Sequence, residues 1–111
     1  MDRLTSYRHA VRQLVEEYAG MKPSIGEVDS YPMIDEEHDH YIAMQNGWVN
    51  RHRVNGAFIH IDIIDGKVWI QFNGTDQDIA DELVRAGVPK SDIVLGFHPA
   101  ELRSHTEFAV G

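Results

Sequence analysis

The stretch Ile59-His60-Ile61-Asp62-Ile63-Ile64-Asp65-Gly66-Lys67-Val68-Trp69-Ile70-Gln71-Phe72-Asn73 decides the fold. Asp65-Gly66 suits a two-residue type I′ turn, whose positive φ angles match the twist of the strands it joins. The turn sets the register: Ile64 faces Lys67, Ile63 faces Val68, Ile61 faces Ile70 and Ile59 faces Phe72. One face of this hairpin is then wholly apolar: Ile59, Ile61, Ile63, Val68, Ile70 and Phe72. The other carries Phe58, His60, Asp62, Trp69, Gln71 and Asn73. A slip of one residue would mix the two sets, so the pattern supports the register.

Upstream, Leu4, Tyr7, Val11, Leu14, Val15 and Tyr18 recur at spacings of three and four, the apolar stripe of a helix over Arg3 to Ala19. Gly20 is placed to end it at C′, with Pro23 as a stop. Glu27 to Ile34 reads as a strand, and Pro32, which has no N–H for a ladder, puts it at a sheet edge. Asp35 to Asp39 is an acidic turn. His40 to Val49 is a second strand, with Tyr41 and Ala43 on one face and Ile42 and Met44 on the other. Asn50-Arg51-His52 makes the next turn, and Arg53 to Ile64 and Lys67 to Asn73 complete four strands.

Downstream, Thr75 with Asp78 resembles a capping box. It opens a helix whose apolar face holds Ile79, Leu83, Val84 and either Ala80 or Ala86, and which ends at Gly87. Pro89 starts a short turn, and Ile93 to Phe97 reads as a short strand or a packed tail. The expected architecture is α+β in two layers, as one domain over residues 1–111. Its order is an N-terminal helix, a four-stranded antiparallel meander, a second helix and an irregular C-terminal tail. Each helix has one apolar stripe, so both are expected on the all-apolar hairpin face.

The 111 residues are 42% hydrophobic and 25% charged, an ordinary globular composition. There is no cysteine, which removes disulfides, thiolate nucleophiles and thiolate zinc sites. Ten Lys and Arg against 18 Asp and Glu give a formal charge of −8. Such a surface repels phosphate backbones, so strong direct DNA binding is not expected. No run approaches the ~20 apolar residues of a membrane span, and the N-terminus shows no signal-peptide pattern. The expected location is cytoplasmic.

Ala57-Phe-Ile-His60-Ile-Asp62-Ile-Ile-Asp65-Gly-Lys-Val-Trp69-Ile-Gln71, Gly87-Val-Pro89-Lys-Ser-Asp92-Ile-Val-Leu-Gly96-Phe-His98 and the terminal Thr106-Glu-Phe-Ala-Val-Gly111 form an ordered set, joined by Asp39-His40-Tyr41 and Gly47-Trp48. Together they resemble the XisI family, controlling factors for excision of the fdxN element in heterocyst-forming cyanobacteria. The resemblance runs nearly end to end. It implies an accessory role in site-specific DNA excision, beside a recombinase complex and a companion protein, XisH. XisH-like proteins look nuclease-like, so an antitoxin-like partnership is the competing implication. No catalytic residues carry over from the family.

His60 and Asp62 share one strand face. A histidine and a carboxylate so placed suit a metal ligand pair or an acid–base pair, and a small metal-dependent enzyme is the third reading. A protein metal site needs about three ligands, and the sequence unites only these two. A hydrogen-bonded polar cluster is therefore favoured, with no catalytic residue, metal ligand or cofactor assigned. His38 and His40 share a face of their strand, but nothing in the sequence fixes their register to His60; exposed imidazoles are the favoured reading.

Phe58, His60, Asp62, Trp69 and Gln71 make a mixed aromatic and polar surface of the composition found at interfaces. A homo-oligomer, most simply a dimer, or a hetero-partner is expected to cover it. The chain's own tail is the rival cover, through Phe97 and Phe108. Arg51, His52 and Arg53 form a compact basic patch at a hairpin tip, enough for about two phosphate contacts. Arg3, Arg8 and Arg12 read as a solvated helix face. Gly74-Thr75, before a helix, has the position of a weak anion site. No nucleophile elbow or phosphate-binding loop is present, and the reading is of a non-enzymatic protein.

Overall fold

The structure is a computed structural model and describes residues 2–21 and 26–111. Pro23 lies outside the described residues. The elements are α1 (Arg3–Ala19), β1 (Glu27–Asp35), β2 (His40–Val49), β3 (His52–Ile64), β4 (Lys67–Asn73), α2 (Ile79–Arg85), β5 (Ile93–Leu95) and α3 (Ala100–Arg103). A 3-10 turn, Lys90–Asp92, precedes β5.

The sheet has five strands in the order β1-β2-β3-β4-β5. The first four form the expected antiparallel meander, with the Pro32-bearing strand at its edge. The fifth corrects the expected layout: Ile93–Leu95 pairs with β4 in parallel, so the sheet is mixed. Parallel neighbours need a long crossover, and α2 supplies it. Three residues are too few to show a period, which is why the sequence left this segment undecided.

Both helices cover one face of the sheet. Tyr7, Val11, Leu14, Val15 and Tyr18 of α1 and Ile79, Ala80 and Leu83 of α2 share one core with Tyr41, Ala43, Ile59, Ile61, Ile63, Val68 and Ile70. Each Ile or Val fully removed from water contributes about 1.5–3 kcal/mol. Polar ties fix the layers. The Tyr7 hydroxyl donates to the Asp92 carboxylate and the Tyr18 hydroxyl to Glu82 at 2.5 Å. Burial, then the adjacent carboxylate, pushes each phenol up to about 12. Arg8 donates two hydrogen bonds to Asp39, at 2.8 and 3.0 Å, clamping α1 to the β1–β2 turn.

The turns follow their residues. Asp65 and Gly66 both have positive φ, 50° and 78°, as a type I′ turn requires. Asn50 and Arg51 make a second such turn, at 48° and 69°, so β3 begins at His52 rather than Arg53. Gly87 ends α2 with φ 109°, whereas Gly20 caps α1 in the right-handed region at −82°. The capping-box reading is corrected. Asp78 is itself the N-cap, accepting from the Asp81 N–H at 3.1 Å, while Thr75 bonds to Asn73 and Gln77. Asp2 caps α1, accepting from the Thr5 N–H at 2.8 Å.

Two β-bulges correct the face assignments. Ile61 faces Ile70 as expected, but His60 faces Phe72 and Ile59 faces Asn73, leaving Gln71 as the extra residue. Phe72 thereby leaves the core face and is 48% exposed. On β3, Ala43 faces Ile59 while Met44 faces Ala57, so Phe58 is extra, and it packs against the core cluster. A bulge sets two residues against one and so breaks the period of two. Among the described residues, no helix is long and apolar enough to cross a membrane.

Candidate functional site

The face away from α1 and α2 is built in rows by the strand pairing. One row runs Met33, Ile42, His60, Phe72 across β1 to β4. The next runs Asp35, His40, Asp62, Trp69, Val94 across all five strands. Polar chemistry concentrates where the two rows meet β3.

Asp62 is the one buried charged side chain among the described residues, at 7% exposure. His40 Nδ1 lies 2.7 Å and His60 Nε2 2.9 Å from its Oδ1. The Gln71 carboxamide donates to its Oδ2 at 3.3 Å. A buried carboxylate is costly unless its oxygens accept hydrogen bonds, and here both do. The hydrogen bond to Asp62 and the charge of its carboxylate hold His40 above its ordinary pKa. Ligand atoms of His40, His60 and Asp62 all lie within 4.8 Å of one another.

The sequence-selected residues separate into those that converge and those that do not. His60, Asp62 and Gln71 come together. His40 joins them, and the sequence does not show this. Counted back from the Asn50-Arg51 turn without a bulge, His40 would face Ile61, on the core side. The extra residue Phe58 moves it opposite Asp62. His38 stays apart, its Nδ1 2.8 Å from Asp35 Oδ2. Trp69 is half-buried under the tail, with the Arg103 guanidinium 5.1 Å from its ring centre. A Cβ added at Gly111 would lie 3.4 Å from the indole. The tail thus reaches Trp69 through Arg103 and Gly111. Phe108 packs on the helix-side core and Phe97 is 47% exposed.

Of the basic residues, Arg51 occupies the hairpin turn and His52 opens β3. Arg53, however, is engaged, 5.3 Å from the Trp48 ring centre and donating to Asn46 Oδ1 at 2.5 Å. The α1 arginines each meet an acid: Arg3 with Asp92, Arg8 with Asp39, Arg12 with Glu16 and Glu36. The anion reading at Gly74-Thr75 is corrected, because the Thr75 N–H and hydroxyl both donate to Asn73 and the helix beyond carries its own carboxylate cap.

The β1 side of this face is open and acidic. Glu27, Asp29, Tyr31, Met33 and Asp35 alternate onto it and are all exposed, Tyr31 at 41% and Met33 at 50%. The alternation of Tyr31 and Met33 with Ser30, Pro32 and Ile34 is the signal in the chain that marks this strip.

The sequence model of the family described as XisI protein matches residues 1–110. Among solved structures, a XisI-like protein from Anabaena variabilis ATCC 29413 superposes with a TM-score of 0.90 at 40% identity, over 97% of this chain and 99% of that one. The fdxN element excision controlling factor XisI from the same organism gives 0.85 at 37% identity, over 99% and 100%. No curated protein matches the chain.

Proposed function

The chain belongs to the XisI family, and from that premise we propose that it is an accessory factor in the excision of a DNA element, acting through protein contacts and not by catalysis. The observation that carries the role is the end-to-end likeness to an fdxN element excision controlling factor, with no large block of either chain left over.

The partner we propose is a XisH-like protein that handles DNA. Charge supports this choice. The chain carries −8, and the exposed strip on β1 sets Tyr31 and Met33 among Glu27, Asp29 and Asp35. Aromatic and methionine side chains anchor interfaces, and an acidic rim steers a partner with a basic, DNA-binding surface. The strip continues across the sheet along the Met33–Ile42–His60–Phe72 row, where three apolar side chains flank one histidine. The same charge argues against the chain's binding DNA by itself. The work would be done in the cytoplasm, where such a partner meets DNA.

A reconstituted excision reaction tests the role. An element-bearing plasmid, the recombinase and the XisH-like protein are combined with and without this chain, and the excised junction is amplified. The reading expects junctions only, or at least tenfold more, when the chain is present. Equal yields without it would remove the accessory role. Assembly of this chain with itself, and no binding to the XisH-like protein, would replace the hetero-partner with a homodimer.

A further inference from the structure

We propose that His40, His60 and Asp62 form a site for one divalent transition-metal ion of the zinc type, clipping β2 to β3 on the sheet face away from α1 and α2. This inference is independent of the excision role.

Three donors of the right kind converge: two imidazole nitrogens, His40 Nδ1 and His60 Nε2, and one carboxylate oxygen, Asp62 Oδ1. Donor atoms bound about 2.0–2.1 Å from one tetrahedral ion stand roughly 3.3–3.5 Å apart. The present separations of 2.7 and 2.9 Å from Asp62 Oδ1 to the two imidazoles are shorter than this by roughly 0.4–0.8 Å. Binding would move the two rings outward by that amount. All three residues lie on paired strands, with His40 directly opposite Asp62.

The surroundings fit as well. Gln71 donates to Asp62 Oδ2, which orients the carboxylate and leaves Oδ1 for the ion, the usual task of an outer-shell partner. Asp62 is 7% exposed, so its charge lies in a poorly solvated place that a cation would neutralise. The His40 side chain is 52% exposed and that of His60 34%, so the ion would be reachable from solvent and keep at least one open position. Two imidazoles with one carboxylate favour zinc, cobalt, nickel or copper over magnesium and calcium, which prefer all-oxygen sites. The open position faces the same surface as Phe72 and Met33, where water or a partner's side chain would complete the coordination.

Calorimetric titration of the tag-free protein with Zn²⁺, and the visible absorption of Co²⁺ added in its place, test the site. One equivalent should bind, with Co²⁺ bands of a four- or five-coordinate N/O site. His40→Ala and His60→Ala should each weaken binding at least tenfold, and His38→Ala should leave it unchanged. His40 is at an exposed strand position, so His40→Ala also guards against a folding defect, checked by circular dichroism. Zn²⁺ should raise the melting temperature of the wild type and not of the folded His40→Ala variant. No stoichiometric binding, or binding that survives both substitutions, would overturn the assignment.

Discussion

His60 stands directly opposite Phe72 across the β3–β4 ladder, on the face away from α1 and α2. The pairing puts a half-exposed aromatic ring beside the polar cluster and completes the Met33–Ile42–His60–Phe72 row. It also means that Phe72 does little for the core.

Stability should divide accordingly. Ile61 is fully buried, so Ile61→Ala is expected to cost about 2–5 kcal/mol in chemical denaturation. Phe72→Ala should cost less than about 1 kcal/mol, as surface changes do. A loss at Phe72 equal to that at Ile61 would restore the regular hairpin without its bulge.

Acid should weaken the clamp between Arg8 and Asp39. The Arg8 hydrogen bonds hold the Asp39 carboxyl below its ordinary value. A depressed folded-state pKa gives stability that is present above the unfolded value of about 3.9 and is lost as pH falls through the folded value. Asp39→Asn keeps the shape, and Asn tolerates the positive φ of 58° at this position. Arg8 is 39% exposed, so solvent screening limits the cost at pH 7 to about 1 kcal/mol. The gap between variant and wild type should be steady near neutrality and close below about pH 4. A gap that persists at pH 2 would mean the contact acts through packing alone.

Trp69 is expected to report on the tail. Arg103 and Gly111 lie against its ring. Trp69→Ala should lower the stability of the isolated chain by about 1–3 kcal/mol, below the full core value because the ring is half-covered. Arg103→Ala should shift tryptophan emission to the red. Unchanged stability and emission together would detach the tail from this face.

Binding to DNA should be weak. With a charge of −8 and Arg53 already engaged by Trp48 and Asn46, the chain alone should show no sub-micromolar affinity for a random duplex at about 150 mM salt. Tight binding with a steep salt slope would show a basic surface that these residues do not provide.

The hairpin around Asp65-Gly66 was legible because three local signals agree there: turn chemistry, strict alternation and β-branched residues. The α1 stripe was legible because its apolar residues recur at spacings of three and four. The limits were physical. The bulge at Gln71 carries no composition signal, and that at Phe58 only the nearby Gly56, yet each shifts the register by one beyond it. Those shifts moved Phe58 toward the core, Phe72 away from it and His40 opposite Asp62. His60 with Asp62 is written within one strand, and Gln71 follows from the hairpin. His40 depends on the β2–β3 register beyond the bulge, which a linear pattern does not encode. The parallel strand Ile93–Leu95 was undecided because its stability comes from β4 and the core, not from its own three residues.

The central claim is that the chain serves excision through the open face of its sheet. Junction formation in the reconstituted excision reaction tests it most directly when wild type is compared with the double variant Tyr31→Glu/Phe72→Glu. Both positions are exposed, at 41% and 48%, so the variant should fold with an unchanged circular dichroism spectrum. The account predicts at least a tenfold loss of excised junctions together with loss of binding to the XisH-like protein. Wild-type yields from the folded double variant would contradict it.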